Sequence, residues 1–336
     1  MRPIHKSKDP IGGNMRPFGL LASAAAVALT FTAASAADYP ERPIRLIVPQ
    51  AAGSATDNAA RLIGAVMAQE LGQQIIIEDK PGGALTVGLD LVAKSAPDGY
   101  TLGMGPIGAL AITRHMVAKL PYNIERDFQP IGLVTRGQML LAVSPKLPVK
   151  SVKELIDYAK KNPGKLSNAS SSNGSPGHVG GELFKFMTGT NIVHIPYRGG
   201  ALAIQDLIAG RVDVMFESLQ SIAPFAHAGT VHALAVTADH RSPAFPDLPT
   251  VAEAGVPGYA AATWSGIVAP AGVPRPIVDK LNAAINKALT SPAFKEKFAK
   301  TGDEPGGGTP EEFAATIRAD SAKWGEVIKH AGITLK

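Results

Sequence analysis

The sequence predicts an α/β fold of two lobes, each a mostly parallel sheet flanked by helices, with a ligand cleft between the lobes. Three observations predict it. Strand-like and helix-like runs alternate along the chain, the order of elements in one stretch recurs in a second, and small-residue loops lead into helices at matching places in both.

Strands are expected over 43–49, 74–78, 100–104, 139–143, 192–196, 212–216, 232–237 and 263–269. Between them, Leu62, Ile63, Val66, Met67 and Leu71, and then Leu85, Leu89 and Val92, are spaced to form one apolar stripe of a helix. Ser151 with Glu154, and Thr309 with Pro310 and Glu312, read as capping boxes; Gly189, Gly210, Gly255 and Gly332 sit where helices should stop. Strands that alternate with helices imply a largely parallel arrangement.

The repeat is carried by Glu78-Asp79-Lys80-Pro81-Gly82-Gly83-Ala84-Leu85, which follows one strand, and Tyr197-Arg198-Gly199-Gly200-Ala201-Leu202, which follows another. A helix and a strand come next in both cases, and a small-residue loop precedes both, at 51–56 and at 170–176. The order predicts two lobes of similar topology; one large doubly wound sheet is the alternative.

Composition bounds the function. The 336 residues include 45% hydrophobic and 18% charged residues, so the chain can bury a core and is not disordered by charge. The absence of cysteine excludes disulfides, thiolate metal sites and a cysteine nucleophile. Net charge is +5, but residues 1–36 hold four of the 33 basic residues and only one of the 28 acids, so the remainder balances at +2. Arg2, Lys6, Lys8 and Arg16, an apolar run over 18–31 and Ala34-Ser35-Ala36 together read as a signal peptide cut before Ala37, with Met15 an alternative start and an uncleaved anchor the competing reading. No cysteine follows the cut, so a lipoprotein is excluded. The basic balance is then an export label and gives no reason to expect nucleic acid.

Two loops suggest what the cleft holds. The run 49–57 passes from the end of the first strand into a helix, so its free N–H groups and the helix dipole favour an anion at the crevice. Asn173-Gly174-Ser175-Pro176-Gly177-His178 does the same in the second half, with hydroxyls and a histidine added. Asp57 either caps its helix or touches the ligand.

Ile47-Val48-Pro49 through Asp57 to Ala60-Arg61, the Glu78 to Gly83 run and Ala96-Pro97-Asp98-Gly99-Tyr100-Thr101-Leu102 resemble the substrate-binding proteins of tripartite tricarboxylate transporters, the Bug family. So do His194 to Gly199, Gly210-Arg211-Val212-Asp213-Val214-Met215-Phe216, Pro249 to Gly255 and Ala269 to Pro274, in order along the chain. The resemblance implies a periplasmic binding protein fold, type II-like, that closes on a small solute, commonly a carboxylate, and hands it to the membrane permease of a tripartite transporter; such proteins also serve as sensors. It implies no catalysis and no cofactor. Carried over by position, the ligand contacts are Gln50, Ala52, Gly53, Thr56 and Asp57 in lobe one and Gly174, Ser175, His178, Gly200 and Ala201 in lobe two, with Glu217 and Ser218 nearby and Gly105 and Pro106 of second rank. Gln50 stands where the family has phenylalanine and Ser54 where it has glycine, which adds polar groups. Lobe one is then 38–139 with 260–336, lobe two is 140–259, and the strands 139–143 and 263–269 form the hinge.

Other patterns point elsewhere. Gly103-Met104-Gly105-Pro106-Ile107-Gly108 satisfies a dinucleotide fingerprint, which leaves an α/β enzyme binding a nucleotide at this turn as the alternative function, although Pro106 removes an amide donor. The eight histidines include no pair at metal-binding spacing, and no metal is expected. His194 reads as a hydrogen-bonded core residue, Arg198 as a ligand carboxylate partner or a salt bridge, Trp264 as packing at the crossover between lobes and Trp324 as core.

Overall fold

The computed structural model describes residues 39–335, and the signal peptide expected over 1–36 lies outside them. The chain begins with β1 (Ile44–Val48), α1 (Ala55–Leu71), β2 (Ile75–Asp79), α2 (Thr86–Ala93) and β3 (Thr101–Pro106). Then come α3 (Ile124–Asp127), β4 (Phe128–Gly137), β5 (Met139–Val143), α4 (Val152–Lys161), β6 (Ser167–Ser170), α5 (Pro176–Thr188), β7 (Val193–Pro196), α6 (Gly200–Ala209), β8 (Val214–Ser218), α7 (Leu219–His227) and β9 (His232–Val236). The last part is β10 (Thr263–Pro270), α8 (Arg275–Leu289), α9 (Pro292–Thr301), β11 (Glu304–Gly307) and α10 (Pro310–Ala331).

Two sheets result, in the orders β11-β4-β10-β3-β1-β2 and β7-β6-β8-β5-β9. The repeat seen in the sequence is realised in them: β2-β1-β3 and β7-β6-β8 have the same order, parallel within each triplet, and each is followed by an antiparallel neighbour, β10 or β5. One continuous doubly wound sheet is thereby excluded.

Most strands of each sheet run in one direction, as expected, and the exceptions are β10 and β11 in the first sheet and β5 in the second. The chain leaves the first sheet through β4 and returns through β10, so these two lie side by side in opposite directions. It enters the second sheet through β5 and leaves through β9, with the same consequence. Strands 139–143 and 263–269 are inner strands of the two sheets; the crossings themselves are Gln138 and the segment 237–262.

Helix boundaries follow their caps. Thr309 accepts the Glu312 N–H and the Glu312 carboxylate takes the Thr309 N–H, a complete capping box. Ser151 accepts the Glu154 N–H, but Glu154 reaches the Lys150 N–H instead of closing the box. Gly189, Gly210 and Gly332 end helices in the left-handed region, whereas Gly255 closes a turn. Among the described residues no helix is long and apolar enough to cross a membrane.

Candidate functional site

A cavity of about 540 Å³ opens where the loops of the two sheets face each other. The first sheet contributes Gln50 and Ser54 to Thr56 at the start of α1, Pro106 to Gly108 after β3, and Thr135, Trp264 and Ser265 from β4 and β10. Ser171, Pro176 and Gly177 at the start of α5, Gly199 and Gly200 at the start of α6, and Glu217 and Ser218 at the end of β8 form the other wall.

The α1 entrance is held by reciprocal bonds. Ser54 Oγ accepts the Asp57 N–H at 3.2 Å, and Asp57 Oδ2 accepts the Gly53 N–H at 2.7 Å. Asp57 is buried, with Arg61 Nε 2.8 Å from its other oxygen. Burial pushes its carboxyl up, but the Gly53 N–H and Arg61 outweigh it and hold the group below the usual aspartate range. The geometry therefore gives Asp57 the capping role, and with Ser54 it shapes the turn that leads into α1 at the cavity.

The α5 entrance is built differently. Ser175 Oγ caps the helix through the His178 N–H, and His178 Nδ1 accepts the Gly174 N–H at 2.9 Å. The His178 ring lies flat on His194 at 3.5 Å between centroids, and His194 Nε2 bonds Ser170 Oγ at 2.7 Å. Burial, then the proximity of His194 and Lys185, pulls His178 down to about 3, so it is neutral. Gly177 is what lets α5 approach: a Cβ there would sit 2.1 Å from the Phe216 carbonyl oxygen of β8.

Of the residues expected from the sequence, Gln50, Thr56, Pro106, Gly200, Glu217 and Ser218 line the cavity together. Ala52, Gly53 and Ala201 are exposed and outside the lining, while Asp57, Gly174, Ser175 and His178 lie buried behind it. In this structure His178 supports the α5 turn from behind the lining, its Nδ1 taken by the Gly174 N–H and its Nε2 3.8 Å from Glu182. Gly105 is a strand residue whose Cβ position is filled by Leu110 at 2.4 Å, and Gly103 packs on Val92 and Leu89, so the first two glycines of the G-x-G-x-x-G run serve internal packing. Arg198 is exposed and outside the lining. Trp264 lines the cavity, with its Nε1 donating to Asp320 at 2.5 Å and its ring edge-on to Phe313.

Sequence reasoning missed Leu85, Thr135, Ser171, Gln220, Ser221, Ser265 and Asp303 in the lining. Leu85 is held there in an unusual backbone: Ala84 and Leu85 have φ of 54° and 75°, conformations that cost non-glycine residues about 1–3 kcal/mol each. Thr86 Oγ1 donates to the Gly83 carbonyl and Thr113 Oγ1 to that of Ala84, which fixes the turn.

Electrostatically the cavity is unusual for an anion site. Among its described lining residues none is Lys, Arg or His, and two, Glu217 and Asp303, are acidic. Burial pushes the Glu217 carboxyl up, only partly opposed by the Ser218 N–H that Glu217 Oε1 accepts at 3.0 Å. Positive potential comes instead from the N-termini of α1, α5 and α6, all of which open at the cavity.

The sequence model of the family described as tripartite tricarboxylate transporter family receptor matches residues 59–333. Among solved structures, the chain is similar to Rpa4515 of R. palustris with adipate, at 40% identity and a TM-score of 0.79, over 88% of this chain and 99% of that one. It is similar to the periplasmic binding protein BugD at 35% identity and a TM-score of 0.75, over 89% and 100% of the chains. A third, MatC from Rhodopseudomonas palustris with bound malate, is 33% identical with a TM-score of 0.75, over 86% and 100% of the chains.

Proposed function

The chain belongs to the tripartite tricarboxylate transporter receptor family, and from that premise we propose that it captures a small carboxylate-bearing solute between its lobes and delivers it to a membrane permease. The family is one of periplasmic solute-binding proteins and not of enzymes. The observation that carries the carboxylate assignment is the convergence of three helix N-termini on one cavity. A carboxylate there finds N–H donors already oriented, so no cationic side chain is required. Two related structures hold dicarboxylates, adipate in one and malate in the other.

In this reading Gln50, Thr56 and the α1 turn hold the solute from lobe one, taken as 38–139 with 260–336. Gly200, Glu217, Ser218 and the α5 turn hold it from lobe two, taken as 140–259. Closure occurs about the two crossings, because a solute that bridges both walls binds the shut form better than the open one. Export through the cleaved leader at 1–36 delivers the protein to the periplasm, where the shut form is what the permease recognises.

The test is a thermal-shift screen of mono-, di- and tricarboxylates, amino acids and aromatic acids, followed by mass spectrometry of the solute recovered from the complex. A rise in Tm with one class of carboxylate, and recovery of that solute chemically unchanged, is the expected outcome. A converted product, or stabilisation only by solutes without a carboxylate, sinks the proposal.

A further inference from the structure

The repeated Gly-Gly-Ala-Leu segments have the same sequence and different conformations. Gly82 and Gly199 match, with φ of 125° and 124°. At the next residue the copies part. Gly200 is the first residue of α6, and the helix continues without interruption, whereas Gly83, Ala84 and Leu85 all have positive φ and α2 starts only at Thr86. The lobe-one helix thus starts three residues later than its twin and has eight residues against ten, although its first residues have the sequence that winds in α6.

The difference decides where a leucine goes. In the wound copy Leu202 is 51% exposed and outside the cavity lining. In the unwound copy Leu85 lines the cavity and packs over Gly108, whose missing Cβ would lie 2.9 Å from Leu85 Cδ1. A strained turn that a twin sequence avoids, and that places a large apolar side chain in the binding cavity, points to a role in the site.

We propose that Leu85 is a movable wall that sets the length of solute the cleft accepts, with Gly83 to Leu85 winding into α2 to withdraw it when a longer solute enters. The inference rests on the carboxylate reading of the cleft. Unwound, the segment shortens the cavity by the leucine side chain; wound, it sends that side chain outward as α6 sends Leu202, and the cavity lengthens. The two threonine hydroxyls that hold the Gly83 and Ala84 carbonyls are the bonds released on winding.

Calorimetric titration of the wild type, Leu85→Ala and Gly83→Ala with succinate, adipate and suberate tests it. Leu85→Ala removes the wall. Gly83→Ala leaves the lining side chains intact but penalises the unwound state, both through its φ of 55° and because a Cβ there would sit 2.5 Å from Thr86 Oγ1. Both variants should bind suberate about tenfold more tightly than the wild type while changing succinate affinity by less than about threefold. An effect equal for all three solutes, or none, overturns the role of Leu85, and a length-selective gain in Leu85→Ala alone overturns the winding. If the wild type binds none of the three, the wall falls, while the carboxylate reading is decided separately by the thermal-shift screen. Should Gly83→Ala fail to fold, the length profile of Leu85→Ala still decides whether Leu85 limits the cleft, and Ala84→Gly, which keeps Leu85 but lifts the positive-φ penalty at residue 84 and favours the unwound turn, decides the winding: suberate affinity below that of the wild type is expected, and equal affinity overturns it.

Discussion

Glu217 is, with Asp303, one of two acids among the described residues that line the cavity. No described lining residue is basic, and burial favours the neutral form of Glu217. Protonated, it donates to a carboxylate; ionised, it repels one. Carboxylate affinity should therefore fall as pH rises through its elevated pKa, and Glu217→Gln should abolish that trend while keeping the low-pH affinity within about threefold. Titrations between pH 5 and 8 that give the same slope for both proteins would remove Glu217 from the site. His178 acts on the fold, where it is buried behind the lining and accepts the Gly174 N–H. Its folded pKa of about 3 lies below that of an unfolded histidine, so below pH ~6.5 the unfolded chain takes up a proton the native state refuses. Stability is complete above that pH and is lost on acidification toward the folded value, at up to about 1.4 kcal/mol per pH unit from this group. His178→Gln should flatten the dependence of urea stability on pH between 6.5 and 4; an unchanged slope would contradict a neutral buried ring. Which residues reached the cavity was partly legible. Gln50, Thr56 and Gly200 lie at helix entrances, which small and capping residues mark in any sequence. Thr135 and Ser265 lie on strands whose side chains reach the cavity only once the sheet exists, and nothing local announces them.

At the scale of elements, the α5 entrance rests on two fittings of different kinds. Ser175 is an N-cap, and Ser175→Ala should lower stability by about 1 kcal/mol with a modest loss of affinity. Gly177 is a point of contact with backbone, where a side chain has nowhere to go: Gly177→Ala must push α5 off β8. Overpacking of that kind costs typically about 1–3 kcal/mol, and because the displaced turn lines the cavity the variant should lose affinity out of proportion to its loss of Tm. Equal behaviour of the two variants in melting and titration would mean that α5 does not position the solute. The elements themselves were unevenly readable. Eight strands announced themselves as short, largely apolar runs, and all eight form. The three that did not are β4, β6 and β11. β4 carries Pro130 and three polar residues among its ten, β6 reads Ser-Asn-Ala-Ser, and β11 reads Glu-Pro-Gly-Gly. β6 is a strand because β7 and β8 close on it from both sides, a tertiary cause that overrides weak propensity. The antiparallel neighbours in each sheet follow from the chain crossing twice, which no local pattern encodes.

Across the whole molecule, closure has to be absorbed where the chain passes between the sheets, and the two passages are tied to one another. Thr237, at the exit of β9, is fully buried; its N–H donates to the Met139 carbonyl and its carbonyl accepts the Ala261 N–H. Its hydroxyl adds a second pair, accepting the Met139 N–H at 3.2 Å and donating to the Ala261 carbonyl at 2.6 Å. One threonine thus joins the first residue of β5 to both ends of the return passage. On the outer side Gln138 Nε2 and His240 Nε2 both meet Glu304 Oε1 of β11, at 3.0 and 2.9 Å. Thr237→Val keeps the shape and the backbone pair but deprives the Met139 N–H and the Ala261 carbonyl of the hydroxyl, a loss of about 1–3 kcal/mol for buried polar groups left short of partners. If the two passages act together as the hinge, loosening them broadens the open ensemble of the empty protein more than the shut, solute-bound form, which the solute clamps from both walls. The variant should then show a lower Tm without solute, a larger solute-induced Tm rise than the wild type, and a larger decrease in radius of gyration by X-ray scattering when solute is added. A variant that loses Tm equally with and without solute, and compacts no more than the wild type, would place Thr237 in the static core and move the hinge elsewhere.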